Sequence, residues 1–115
     1  MINLTNTAAA LEVVLSGAVA TNALPCTAEY IDIDSTSQAV VAVGQSDGAA
    51  TGTGTLTLVG SPAAGRTRTI KSVTIFNADT TGAIATVRLN NGTTTRIMVK
   101  PLLAVGDTLM GMAND

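Results

Sequence analysis

Residues 66–109 read RTRTIKSVTIFNADTTGAIATVRLNNGTTTRIMVKPLLAVGDTL, and this stretch decides the fold. Arg66 to Asn77 is the longest strand candidate. Val73 and Ile75 share one face, and Ile70, Thr74 and Phe76 share the other. Apolar side chains on both faces predict a central strand covered on both sides. Asn77-Ala78-Asp79-Thr80-Thr81-Gly82 is a turn by composition. Ala83–Leu89 and Thr93–Val99 then form a hairpin about Asn90-Asn91-Gly92. A two-residue Asn91-Gly92 turn pairs Val87 with Arg96 and Leu89 with Thr94. A three-residue loop instead pairs Ala85 with Ile97, Val87 with Thr95 and Leu89 with Thr93. The second register gathers Ala83, Ala85, Val87, Leu89, Ile97 and Val99 on one face. It puts Thr86, Arg88, Thr94 and Arg96 on the other. A slip of one residue flips every side chain, so this sorting predicts the three-residue loop, with Gly92 left-handed. Pro101 ends the strand or marks an edge. Leu102–Leu109 is a last short strand with a turn at Gly106-Asp107.

Working outward, the N-terminal half carries weaker strands. Leu11, Val13 and Leu15 alternate with Glu12, Val14 and Ser16. Three alanines leave a helix over Thr7–Ser16 as the alternative there. Leu24-Pro25 is a break, and Thr27–Asp34 alternates again. Gln38–Val43 is a short β-prone run. Gly44–Gly54 holds no large side chain and reads as a flexible loop or weak edge. Thr51, Thr53, Thr55, Thr57 and Val59 then alternate with Gly52, Gly54, Leu56 and Leu58. Residues 1–9 read as frayed or as an arm docking on a neighbour, and 110–115 as a short tail. The expectation is one all-β domain over residues 1–115. Its form is an antiparallel β-sandwich, jelly-roll or immunoglobulin-like, of about seven or eight short strands.

Composition bounds the core and the chemistry. A chain of 115 residues suits one domain with a core that needs no metal or disulfide staple. Apolar residues are 46%, but much of that is Ala and Val; Tyr30 and Phe76 are the only aromatics. Large aromatics supply much of the burial in ordinary cores and interfaces. The expectation is a thin sandwich of modest stability, completed by partners. Histidine is absent, which excludes histidine triads and histidine metal sites. The single cysteine, Cys26, reads as a small buried hydrophobe. Asp32-x-Asp34 lacks the glycine and distal Glu of a calcium loop. Gly52-Thr53-Gly54 is followed by neither a helix signal nor lysine, so it is no phosphate loop. The reading is non-enzymatic, with no catalytic residue, no cofactor and no metal. The N-terminus has no basic region ahead of its apolar run, and no segment approaches the length of a membrane span. The chain therefore reads as soluble, made and kept in a cytoplasm or carried on an assembly built there, with no membrane partner.

Charge is sparse, at 12% of residues, and it is segregated. Glu12, Glu29, Asp32, Asp34 and Asp47 precede residue 66, and no basic residue does. All six basic residues, Arg66, Arg68, Lys71, Arg88, Arg96 and Lys100, follow it. Either the two halves interleave and neutralise each other across strands, or an acidic face of one molecule meets a basic face of another. The second reading makes those six residues, with Glu29, Asp32 and Asp34, candidate protein contacts. Nucleic acid is not the expected partner: the pI is 4.8 and stacking aromatics are missing.

LEVVLSGAVATNALPCTAEYIDID, followed by TGTGTLTLVGSPAAGRTRTIKSVTIFNADTTGAIATVRLNNGTTTRIMVKPLLAVGDTL, resembles a group of small virion structural proteins of tailed bacteriophages. The likeness covers most of Leu11–Leu109 and is strongest from Ser61. Members often continue past LAVGDTL with another strand, whereas here MGMAND follows. The resemblance implies a capsid cement or decoration protein, bound to the outer surface of the major capsid protein lattice and stabilising it. It also implies a homo-oligomer, a trimer being favoured, synthesised in the host cytoplasm and located on the virion. A tail, baseplate or fibre-attachment module is the alternative, and a host-glycan-binding module the third.

Overall fold

In the computed structural model, which describes residues 2–111, Arg66–Phe76 is a long strand at the heart of one of two antiparallel sheets. The strands are β1 (Ile2–Leu4), β2 (Ala10–Leu15), β3 (Leu24–Asp34), β4 (Val40–Ala50), β5 (Leu56–Val59), β6 (Arg66–Phe76), β7 (Ala83–Asn90), β8 (Thr95–Val99), β9 (Leu102–Leu103) and β10 (Thr108–Gly111). No described residue is helical, so Thr7–Ser16 is strand where it is regular. One sheet has the order β1-β6-β3-β4, with β10 also on β6. The other has the order β5-β2-β7-β8, with β9 also on β7. The chain is an all-β sandwich of two five-stranded antiparallel sheets.

The core lies between the sheets and is built from aliphatic side chains. Leu11, Val13 and Leu15 of β2 and Ala85 and Val87 of β7 face Leu24, Cys26 and Ala28 of β3 and Ile70, Val73 and Ile75 of β6, all buried. Each such Leu, Ile or Val contributes about 1.5–3 kcal/mol through the apolar surface it withdraws from water. No aromatic ring is fully buried, which leaves packing to many small contacts.

β6 departs from the expectation of two covered faces. Glu29 pairs with Ser72 and Tyr30 with Ile70, so Lys71 is the extra residue of a β-bulge. The bulge resets the alternation, and Ile70, Val73 and Ile75 all turn inward. The outer face keeps Thr74 and a half-exposed Phe76. Ile70 thus joins Val73 and Ile75 on the inner face, and Phe76 alone stays on the outer one.

The hairpin register also differs. Asn90 pairs with Thr95, Leu89 with Arg96 and Arg88 with Ile97. The loop is therefore Asn91–Thr94, four residues and not three. Asn91 closes it: its Oδ1 accepts from the N–H groups of Thr93 and Thr94 (3.0 and 2.8 Å), and its own N–H donates to the Thr94 carbonyl (3.0 Å). Gly92 is left-handed, with φ +101°, as expected. Face sorting failed because it assumed β8 had a face to bury, whereas every β8 residue is exposed. Arg88 and Arg96 consequently lie on opposite faces of the hairpin.

β4 decides between the two readings of Gly44–Gly54, because Gly44–Ala50 is edge strand and not loop. Glycine there serves close approach. The Tyr30 ring lies across Gly44, where a Cβ would come within 2.6 Å of the ring, and Leu56 lies against Gly48. The turn falls later: Gly52 and Thr51 carbonyls accept from Leu15 and Val19, and β5 is confined to Leu56–Val59. Residues 2–4 are not a free arm; Ile2 and Leu4 are buried and β1 pairs with Arg68–Ile70. Met110 and Gly111 lie in β10, paired with Thr74 and Val73, while the rest of the expected tail lies outside the described residues. Leu102–Leu109 is two strands on different sheets, with the turn at Gly106-Asp107 carrying the chain across.

Candidate functional site

The nine candidate contact residues do not form one patch. Arg68 and Asp32 lie opposite each other on β6 and β3, with the Asp32 side chain almost wholly covered. The guanidinium donates through Nε to Asp32 Oδ1 (2.8 Å) and through Nη2 to Oδ2 (3.0 Å). Nη1 donates to the Gly60 carbonyl (3.2 Å), and the guanidinium carbon sits 4.2 Å from the centroid of the Tyr30 ring. The hydrogen bonds from Arg68 hold the Asp32 carboxyl below the usual carboxylate range. This is an internal brace that leaves little of either charge for a partner.

Arg88 is braced in the same way by a residue outside the nine. It lies opposite Glu12 of β2 and donates through Nε to Oε1 (2.8 Å), and through Nη2 to Thr55 (2.9 Å). Asn90 donates to the second oxygen of Glu12 (3.1 Å). These are the two ion pairs among the described residues, and both join an acid from the first half to a base from the second. The segregation of charge along the chain is thus partly cancelled by interleaving of the strands. Asp34 is also committed locally: its Oδ1 accepts from the N–H groups of Ser37 (2.8 Å) and Thr36 (2.9 Å), and its carboxyl is lowered by them.

Glu29, Arg66, Lys71, Arg96 and Lys100 form no ion pair among the described residues. Glu29 is exposed on β3, beside Gln45 of the edge strand β4. Arg96 is exposed on β8, and exposed Lys100 follows it. Arg66 faces Asp34 across the strands.

The densest polar cluster is one that charge counting missed. Asn77 is fully buried; its Nδ2 donates to the carbonyls of Thr81 (3.0 Å) and Leu103 (2.9 Å), and its Oδ1 accepts from Asp79 N–H (2.9 Å). The Asp79 carboxylate accepts from the N–H groups of Ala20 (2.7 Å), Thr21 (2.8 Å), Asn22 (3.0 Å) and Thr80 (2.8 Å). Those backbone donors, Asn22 foremost, push the carboxyl far below its ordinary value. The pair ties three loops together at one end of the sandwich. The signal was the Asn-Ala-Asp triplet, whose short polar side chains bond nearby backbone; its long-range partners have no local signature.

Beside this cluster is a cavity of about 80 Å3, lined by Leu15, Val19, Asp79 and Ile84 among others. Small-molecule sites are several times larger, and both oxygens of Asp79 are already engaged. Cys26 is buried, and desolvation pushes its thiol up to about 11. Among the described residues no three His, Cys, Asp or Glu side chains gather as a metal site would need. Among the described residues no helix is long and apolar enough to cross a membrane.

Two strand edges stand exposed. β4 and β8 end their sheets, and both expose aliphatic side chains: Val40 58%, Val43 76% and Ile97 63%. Unpaired strand edges with apolar side chains are the usual template for adding a further strand. The fold is thus a β-sandwich with two unpaired strand edges that carry exposed aliphatic side chains. The chain matches no protein-family model, and no significant match was found among curated proteins or solved structures.

Proposed function

We propose that the chain is a structural virion protein of a tailed bacteriophage, and specifically a capsid cement protein that binds the outer surface of the major capsid lattice and stabilises it. The observation that carries this reading is the residue pattern of Ser61–Leu109, which resembles that of small phage virion proteins. Its physical character agrees. The polar clusters brace the fold, leaving strand edges and weakly charged, threonine-rich faces as the contact surface. Many shallow contacts repeated over a lattice give firm attachment even when each is weak. Quantitative mass spectrometry of purified virions tests the assignment. A copy number commensurate with the capsid lattice, together with earlier heat disruption of particles lacking the protein, is the expected result. A copy number set by the symmetry of the tail would overturn it in favour of a tail or baseplate module.

A further inference from the structure

We infer that copies of this chain associate head to tail, the β4 edge of one pairing with the β8 edge of the next. The two edges lie on opposite sides of the sandwich. β4 stacks beside β5, with Ser46 Oγ donating to the Leu58 carbonyl and Leu56 against Gly48. β8 and β9 run on the other side, where the chain crosses from β9 to β10 at the far edge of the first sheet. Neither edge has a strand beyond it among the described residues.

The edges are complementary in charge and alike in apolar character. β4 carries exposed Asp47 and no basic residue, and exposed Glu29 lies on the adjoining strand. β8 carries exposed Arg96 with Lys100 just beyond it, and no acidic residue. Each adds exposed aliphatic side chains, Val43 on β4 and Ile97 on β8 among them. β4 paired with β4 would oppose acid to acid, and β8 with β8 base to base. Only the unlike pairing joins opposite charges while satisfying both rows of unpaired backbone groups. An unlike contact between opposite sides of a molecule closes into a ring or continues as an open chain. β4 also has no lysine or proline to guard it, the usual devices against edge pairing.

The test uses the purified chain alone, so it succeeds or fails independently of the virion assignment. Sedimentation velocity at low salt is expected to show reversible association that weakens as salt is added. Glu29→Lys with Asp47→Lys makes both edges basic, and Arg96→Glu with Lys100→Glu makes both acidic. Each double variant should sediment as a monomer with an unchanged circular dichroism spectrum. An equimolar mixture of the two should associate again, and so should the chain carrying all four substitutions. A wild-type chain that stays monomeric up to its solubility limit overturns the inference. So do double variants that associate as the wild type does. Association in the mixture but not in the fourfold variant would establish like-edge pairing instead, and equally overturn it.

Discussion

Arg68 on β6 and Asp32 on β3 form a two-pronged ion pair at 2.8 and 3.0 Å, inside one end of the sandwich and under the ring of Tyr30. The pair joins the basic half of the chain to the acidic half across neighbouring strands. Both members are among the nine residues that sequence alone would offer to a partner.

Removing Arg68 should therefore destabilise the fold rather than weaken a surface contact. Arg68→Ala leaves Asp32 covered and uncompensated. An exposed pair is worth up to about 1 kcal/mol and a fully buried one about 3–5 on removal of one member. Arg68 is partly covered, so a loss of about 2 kcal/mol is expected. Asp32→Ala should cost a similar amount, and the double variant less than the sum of the two. Urea titrations of the three variants measure the coupling; additive losses would remove the brace from the account.

Glycine 44 makes a second, sharper case. Gly44→Ala places a methyl group within 2.6 Å of a Tyr30 ring that the Arg68 guanidinium also covers. Overpacking of this kind costs about 1–3 kcal/mol. Tyr30→Ala made in the same chain should absorb most of that increment, since the methyl group then meets space. Thermal melts of the single and double variants decide it. Equal cost of Gly44→Ala with and without the ring would show that the glycine serves backbone freedom alone.

Much of the architecture was legible in the residues, and the failures share a cause. The alternation of Leu11, Val13 and Leu15, the β-rich run of Arg66–Phe76 and the left-handed Gly92 are local features, and they stand where period and turn chemistry place them. The Lys71 bulge and the four-residue hairpin loop depend on a neighbouring element, and so does the choice of edge strand over loop at Gly44–Ala50. An inserted residue leaves no mark in the period except an apparent second apolar face. Gly44 looks like a breaker until Tyr30 is known to lie across it. The candidate contacts were chosen by charge, and charge cannot tell Arg68, whose partner is internal, from Arg96, which pairs with no acid among the described residues.

The Asp79 cluster predicts an acid limit to stability. Four backbone N–H donors favour the ionised carboxylate in the folded chain, so its folded pKa lies below the unfolded value. A depressed carboxyl stabilises the fold fully above the ordinary carboxylate range of about 4, and that stabilisation is lost as pH falls below it. Asp79→Asn keeps the shape but replaces one acceptor oxygen with an N–H donor facing Ala20 or its neighbours. The variant should be less stable at neutral pH, and its stability should fall less steeply between about pH 4 and pH 2. Denaturant midpoints measured across that range check both statements; parallel acid limbs in the two proteins would exclude Asp79 as their source.

Cys26 sets the opposite limit, and it can be watched directly. The thiol is buried between the sheets and donates weakly to the Leu24 carbonyl, 3.4 Å away. Desolvation raises it from 9.0 to about 11. The unfolded thiol therefore ionises first as pH rises, which favours unfolding: its contribution is complete below about pH 9 and is lost as pH climbs towards 11. The loss should amount to about 2 kcal/mol at the upper end. Cys26→Ala, at some cost in packing, should flatten that alkaline limb. Below pH 9, labelling by an aromatic disulfide reagent requires the thiol to be exposed, because the thiolate is the attacking species and burial suppresses it. The labelling rate should then rise with urea along the same slope as global unfolding. A fast rate insensitive to urea would mean that the core opens locally around β3, contrary to the packing of Cys26 among Leu24, Ala28 and Ile75.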